Sequence, residues 1–218
     1  MNEAATLPLL EAADLAGQRG ERTLFQHLCL ALPAGTVTWL RGRNGCGKTT
    51  LLRLLVGLTT PTAGEVRMFG REQRREDPSW RAGLVYIGHQ NALKDDLTAA
   101  EALAFLMRLG GVKPEAERVR VALARLGVLR CIRAPVRTLS AGQRRRVALA
   151  RLAMSMETPV WLLDEPFDSL DAEGVRAVNA LLTEHAVKGG ATLLTSHQSP
   201  GLSEPVPRIF ELDGHEHL

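Results

Sequence analysis

The pattern of apolar and polar positions divides the chain into a strand-rich opening, a helical middle and a strand-and-helix close. Residues 7–15 and 24–32 read as strands, the second alternating as a half-buried strand does, and TVTWL at 36–40 reads as a third. Behind a glycine-rich loop, Leu51, Leu52, Leu54, Leu55 and Leu58 predict a helix with its apolar face inward. TTPTAG at 59–64 predicts a turn, residues 65–69 a strand, 71–78 a charged loop, and LVYIG at 84–88 a short apolar strand. From residue 91 to about 138 the chain reads as helix after helix. Thr98 and Glu101 are spaced as a capping box opening the first helix, while Pro114 and Gly127 bracket the second around a stripe of Val119, Leu123 and Leu126. Phe105, Met107 and the leucines here are core positions. Val160 to Leu163 restores the strand pattern, followed by a helix over 171–187, a strand over 192–195 and an apolar run over 209–212. This order predicts one α/β domain with a mostly parallel sheet, N-terminal antiparallel strands, and a helical insertion over about residues 91–157 within a core of about 1–90 and 158–218.

Composition narrows the picture modestly. A chain of 218 residues with 45% hydrophobic content can bury one large core but not two ordinary catalytic domains. The balance of 27 basic against 24 acidic residues describes a mainly solvated surface, whose mild basicity suits a nucleotide or a membrane face. Cys29, Cys46 and Cys131 show no C-x-x-C spacing and cannot all pair, which points to a reducing compartment. MNEAATLPLLEAAD is acidic and carries no signal-peptide pattern. No apolar run reaches the roughly 18 residues of a spanning helix, so the chain is expected to be soluble by itself.

The chemistry concentrates behind the third strand. GRNGCGKTT, residues 42–50, fits G-x-x-x-x-G-K-[ST] in the strand–loop–helix setting that makes the pattern a phosphate site. Glycines let successive N–H groups curl around an anion, and the following helix aims its free N–H groups and positive dipole end at it. Gly42, Arg43, Asn44, Gly45, Cys46, Gly47, Lys48, Thr49 and Thr50 are therefore expected nucleotide contacts, with Lys48 reaching the β- and γ-phosphates and Thr49 a magnesium ion. VWLLDE, residues 160–165, is an apolar strand ending in two carboxylates, at the edge where open α/β sheets bind ligands. Asp164 is expected to hold Mg²⁺ through water, and Glu165 to take a proton from the attacking water. LSAGQ, residues 139–143, opens another helix, with Ser140 as N-cap and Gly142 permitting close backbone approach. Alone it is a capped helix. Beside the loop at Gly42 it is a second anion-binding helix start, facing the γ-phosphate held by another copy of the chain.

LSAGQ resembles the LSGGQ signature of ABC (ATP-binding cassette) ATPases, and the other segments agree in order along nearly the whole chain. Gln90 resembles the family's Q-loop glutamine, residues 167–171 (FDSLD) its D-loop, and His197 its switch histidine. The resemblance implies a P-loop NTPase core with a helical subdomain, ATP and Mg²⁺ as cofactors, and hydrolysis by Glu165, His197, Lys48 and Gln90. Thr49, Gln90 and Asp164 would hold the metal; Ser140, Ala141, Gly142 and Gln143, with Asp171, would meet the nucleotide in an ATP-sandwich dimer of two copies. Integral membrane subunits are the implied further partners, which places the chain on the cytoplasmic face of the inner membrane, with neither nucleic acid nor haem bound directly. Two departures stand out. Ala141 replaces a glycine, which leaves the turn workable, and Arg19 stands where the family puts an aromatic on the adenine, a place where a guanidinium plane can also stack.

Within the family, residues 86–103, 139–152, 161–171 and 196–198 are similar to the ATP-binding subunit of the haem exporter of cytochrome c maturation. The ATPase subunit of another ABC exporter is the alternative; a soluble ABC ATPase acting on nucleic acid or ribosomes is a further one, usually built from two cassettes or with a long coiled coil. Four other features tempt. Cys46 lies near a helix N-terminus and Lys48, which favours thiolate, although a small tolerated residue explains it more simply. His89 reads as a spacer, His215 and His217 as a frayed tail rather than metal ligands, and Arg144 to Arg146 as arginines fanning over different helix faces.

Overall fold

The structure, a computed structural model, describes residues 7–73 and 77–213. Two sheets share the work. β1 (Leu10–Arg19), β2 (Arg22–Leu32), β4 (Ala63–Met68) and β5 (Arg71–Glu72) form an antiparallel sheet in the order β2-β1-β4-β5. β3 (Val37–Arg41), β6 (Leu84–Ile87), β7 (Val160–Leu163), β8 (Ala191–Thr195) and β9 (Arg208–Glu211) form a parallel sheet in the order β6-β7-β8-β3-β9. Successive side chains of a strand point to opposite faces, and β7 uses this fully. Val160 and Leu162 join a core with α1 (Lys48–Val56) and the antiparallel sheet, whereas Trp161 and Leu163 join a second core with the helices on the other face. All four residues are buried, which explains why the strand reads as an unbroken apolar run.

The helices after β6 are α3 (Ala99–Leu109), α4 (Ala116–Arg125), two single 3₁₀ turns and α5 (Ala141–Met154), which pack together before the chain returns to β7. The capping box at Thr98 is formed: Glu101 N–H donates to its hydroxyl at 3.3 Å, and its own N–H donates to the Glu101 carboxylate at 2.9 Å. α6 (Ala172–Val187) starts at an Asp171 cap and buries His185 in a stack on Trp161, with ring centroids 3.8 Å apart. His185 Nε2 bonds the Thr158 carbonyl at 2.8 Å, and burial holds its pKa below the ordinary value.

Two expectations need correction. The strand read as ending at residue 15 runs to Arg19 and turns at Gly20 (φ 63°) into β2. Register shifts between Ala12 and Gln18, with Asp14 at φ 51°, break the alternation that a sequence pattern depends on. The charged loop over 71–78 instead contains β5 and the start of a short helix, α2 (Pro78–Ala82), anchored by the buried Trp80.

Candidate functional site

β3 delivers the chain to the glycine loop and α1 carries it away. Gly42, Gly45 and Gly47 take φ values of 150°, 82° and 113°, a region open to glycine at little cost. A Cβ on Gly42 would stand 2.7 Å from Cys46 Sγ, and one on Gly47 3.1 Å from Leu24 and the Phe25 ring. Gly47 is the N-cap of α1; no side chain caps this helix, and its first turn holds no acidic residue. Lys48 Nζ donates to the carbonyls of Gly42 at 2.6 Å and Arg43 at 3.0 Å. Behind the loop, both Asp213 oxygens accept the Arg43 N–H, at 3.0 and 3.1 Å, tying it to the segment after β9.

At the end of β7 the buried Asp164 accepts the Thr49 hydroxyl at 2.9 Å and the Thr195 hydroxyl at 3.0 Å, so α1 and β8 converge on one carboxylate. Thr195 in turn accepts the N–H of Glu165 at 2.8 Å. Glu165 stands at φ 48°, and its carboxylate lies 3.6 Å from His197 Nε2. Burial pushes the Glu165 carboxyl above the usual carboxylate range; His197 opposes the shift, while Asp168 and Asp164 add to it. A raised pKa is the direction that a proton acceptor working near neutral pH needs.

Arg19, Asn44, Gly45, Gly47, Lys48, Thr49, Thr50, Gln90, Asp164, Glu165 and His197 all line one cavity of about 750 Å³. Gly42 and Arg43 border a smaller cleft behind the loop with His197. The signature residues do not line the main cavity. Ser140 caps α5, accepting the Gln143 N–H at 3.2 Å, while the Gln143 side chain accepts the Ser140 N–H at 2.9 Å. Gly142 is required for a specific reason: a Cβ there would stand 2.7 Å from the Ser169 carbonyl. Asp171 caps α6 through the Gly174 N–H at 2.8 Å and pairs with Arg146.

The arginine triplet does fan over different faces of α5, Arg144 bonding back to the Leu139 carbonyl, but two of the three turn inward. Arg145 and Arg146 are both buried, and their bonds join α5 to the ends of β6 and β7 and to the start of α6. The available signal was their setting, a charged triplet directly ahead of the apolar run VALA at 147–150. The thiolate expectation at Cys46 also reverses, since burial pushes this thiol up, with Asp213 acting in the same sense and Lys48 against it. His89 lies 3.7 Å from Asp168. His215 and His217 fall outside the described residues. Thr195 and Asp213, which organise the carboxylates and the loop, are residues that motif reading passed over.

A sequence family described as ABC transporter matches residues 25–168. The chain belongs to this family. It is an ABC-type ATPase, with the P-loop NTPase fold. The chain is 46% identical over 214 residues to the "Cytochrome c biogenesis ATP-binding export protein CcmA" of Cupriavidus pinatubonensis, covering 98% of this chain and 92% of the relative. The protein of the same name from Shigella flexneri is 44% identical over 204 residues, covering 94% and 96%. Among solved structures, one titled as the ATP-binding subunit of an ABC transporter superposes with a TM-score of 0.78 at 27% identity, covering 88% of this chain and 80% of that one. A dimeric ATP-binding cassette in a post-hydrolysis state, bound to ADP and Pi, shares the fold with a TM-score of 0.76 at 23% identity, covering 87% and 88%. No helix among the described residues is long and apolar enough to cross a membrane.

Proposed function

We propose that the chain is the ATP-hydrolysing subunit of the haem export or release complex used in cytochrome c biogenesis. The observation that carries this reading is the similarity, over nearly the whole chain, to relatives named as export proteins of that process. In this reading two copies sandwich two ATP molecules, and integral membrane subunits hold them at the cytoplasmic face of the inner membrane. The core over about residues 1–90 and 158–218 binds nucleotide, and the helical subdomain over about 91–157 carries the signature end to the second copy. A dimeric cassette among the structural neighbours supports the pairing, as does the position of Ser140 and Gly142 outside their own chain's cavity.

The geometry supports a role for each residue. The uncapped start of α1 and the glycine loop receive the phosphates, and Lys48 exchanges its two loop carbonyls for phosphate oxygens. Glu165, buried with a raised pKa and next to His197, accepts the proton of the attacking water. His197 and Gln90 border the same cavity and orient the γ-phosphate and the water. Arg19 lines the same cavity, where its guanidinium plane could stack on the base.

Mg²⁺ suits the oxygens present. Thr49 and Asp164 meet at 2.9 Å, Gln90 lies on the same cavity, and no group of three or more His, Cys, Asp or Glu forms a protein cage among the described residues. That is the donor set of an ion completed by waters and substrate phosphates. When bound there, the ion would neutralise charge developing on the phosphate oxygens.

A deletion strain tests the role. It should make apocytochromes c but fail to attach haem, so haem-stained c-type bands vanish while b-type spectra persist. A Lys48→Ala copy should dock without restoring the bands. Normal c-type cytochromes in the deletion strain would leave an export ATPase of other cargo.

A further inference from the structure

Arg145, on the second turn of α5, is only 3% exposed, and its fork bonds two segments far apart in sequence. One terminal nitrogen donates to the Gly88 carbonyl at 3.0 Å and to Asn91 Oδ1 at 3.1 Å. The other donates to the carbonyls of Asp164 at 2.8 Å and Glu165 at 2.7 Å. The first pair of acceptors flanks Gln90; the second belongs to the two carboxylate residues at the end of β7. All four acceptors are neutral oxygens, and the Nε finds no partner. A full positive charge is thus buried without a directly bonded carboxylate, an expensive arrangement in a core that an apolar side chain could fill.

Holding the sheet together does not require this residue. β6 and β7 pair in register up to Ile87 and Leu163, and the Asp164 N–H donates to the Ile87 carbonyl at 2.8 Å. Arg145 acts one step beyond, where the ladder has ended and both chains enter the cavity. Glu165 has left the extended conformation there for φ 48°, a conformation that persists only where its surroundings enforce it. Its N–H is held by Thr195 and its carbonyl by Arg145, one from each side.

We propose that Arg145 is a positioning residue for hydrolysis, clamping the backbone of Glu165 and the Gln90-bearing loop into one rigid unit. The proposal rests on the reading of Glu165 as the general base. Arg145 itself does not line the cavity, so it acts through these two segments and not on the substrate. Lysine cannot replace it, because a single ammonium lacks the planar fork that spans both segments.

The test compares ATP turnover of the full chain in its membrane complex for Arg145→Lys, Asn91→Ala, the double variant and Glu165→Gln. Arg145→Lys should lower kcat about 10²-fold, the effect of misplacing a reacting group by about 1 Å, with KM for ATP nearly unchanged. Asn91→Ala removes one of the four acceptors and should give a smaller loss of kcat at unchanged KM. The double variant should be no worse than Arg145→Lys alone, since contacts within one unit are not additive. Wild-type kcat in Arg145→Lys beside an inactive Glu165→Gln would overturn the clamp, and so would fully additive losses. If Arg145→Lys does not fold, Asn91→Ala decides by the same split: a kcat loss supports the clamp and an unchanged kcat overturns it. Wild-type turnover in Glu165→Gln would instead remove the general base on which the proposal rests.

Discussion

α1 and α5 both begin in tight loops of this fold, and their first turns are finished in opposite ways. α1 opens on Gly47 in the left-handed region, with no side-chain cap. α5 opens on a complete capping box, in which Ser140 and Gln143 satisfy each other. An uncapped helix start leaves N–H groups and a positive dipole end unsatisfied, which is a standing demand for an anion. A capped start has met part of that demand internally and can serve as a rigid face. In the proposed reading the contrast separates two duties: α1 would take the phosphates of its own chain, and α5 would present a preformed edge to the nucleotide of a second copy.

The largest way to break the contrast is at α1. Lys48→Ala should abolish ATP hydrolysis, because its ammonium is the cation bridging the loop mouth; malachite-green phosphate release measures it, and substantial residual turnover would contradict the role. On the α5 side, Gly142→Val should lower kcat about 10²-fold by pushing α5 off the Ser169 carbonyl. ATP binding by the isolated chain, followed by a fluorescent analogue, should stay near wild type.

Smaller changes sharpen the same contrast. Arg19→Tyr should tighten ATP binding, since base–aromatic stacking is worth about 1–3 kcal/mol; calorimetry with ATP and GTP checks this, and an unchanged affinity would remove Arg19 from the base. Ser140→Ala and Thr98→Ala delete equivalent caps, each costing about 1 kcal/mol of stability, seen as similar falls in melting temperature. Only Ser140→Ala should also reduce turnover.

The parts that sequence made legible are those carried by adjacent residues: the glycine loop, the VWLLDE strand, the capping box at Thr98, the N-cap at Ser140, and alternation wherever it is unbroken. The cavity unites Arg19, Lys48, Gln90, Glu165 and His197, which short motifs had already singled out. The supports around them were not legible. Asp213 reaches the loop across 170 positions, Thr195 reaches Asp164 across 31, and Arg145 reaches Gly88 across 57. Such bonds depend on which strands become neighbours, and no local pattern encodes that. The thiolate alternative at Cys46 fails for a related reason: its electropositive neighbours are visible in sequence, but its burial is not, and the plainer reading as a small tolerated residue is left.

In the proposed dimer, the uncapped start of α1 is completed by the capped start of α5 from a second copy. Light scattering on the Glu165→Gln chain with Mg-ATP tests it most directly, because slowing hydrolysis about 10²- to 10⁴-fold should trap the closed pair. The expected result is a stable dimer that adding Ser140→Arg returns to a monomer still holding one ATP per chain. An ATP-saturated monomer of Glu165→Gln, or a dimer indifferent to Ser140→Arg, would contradict it.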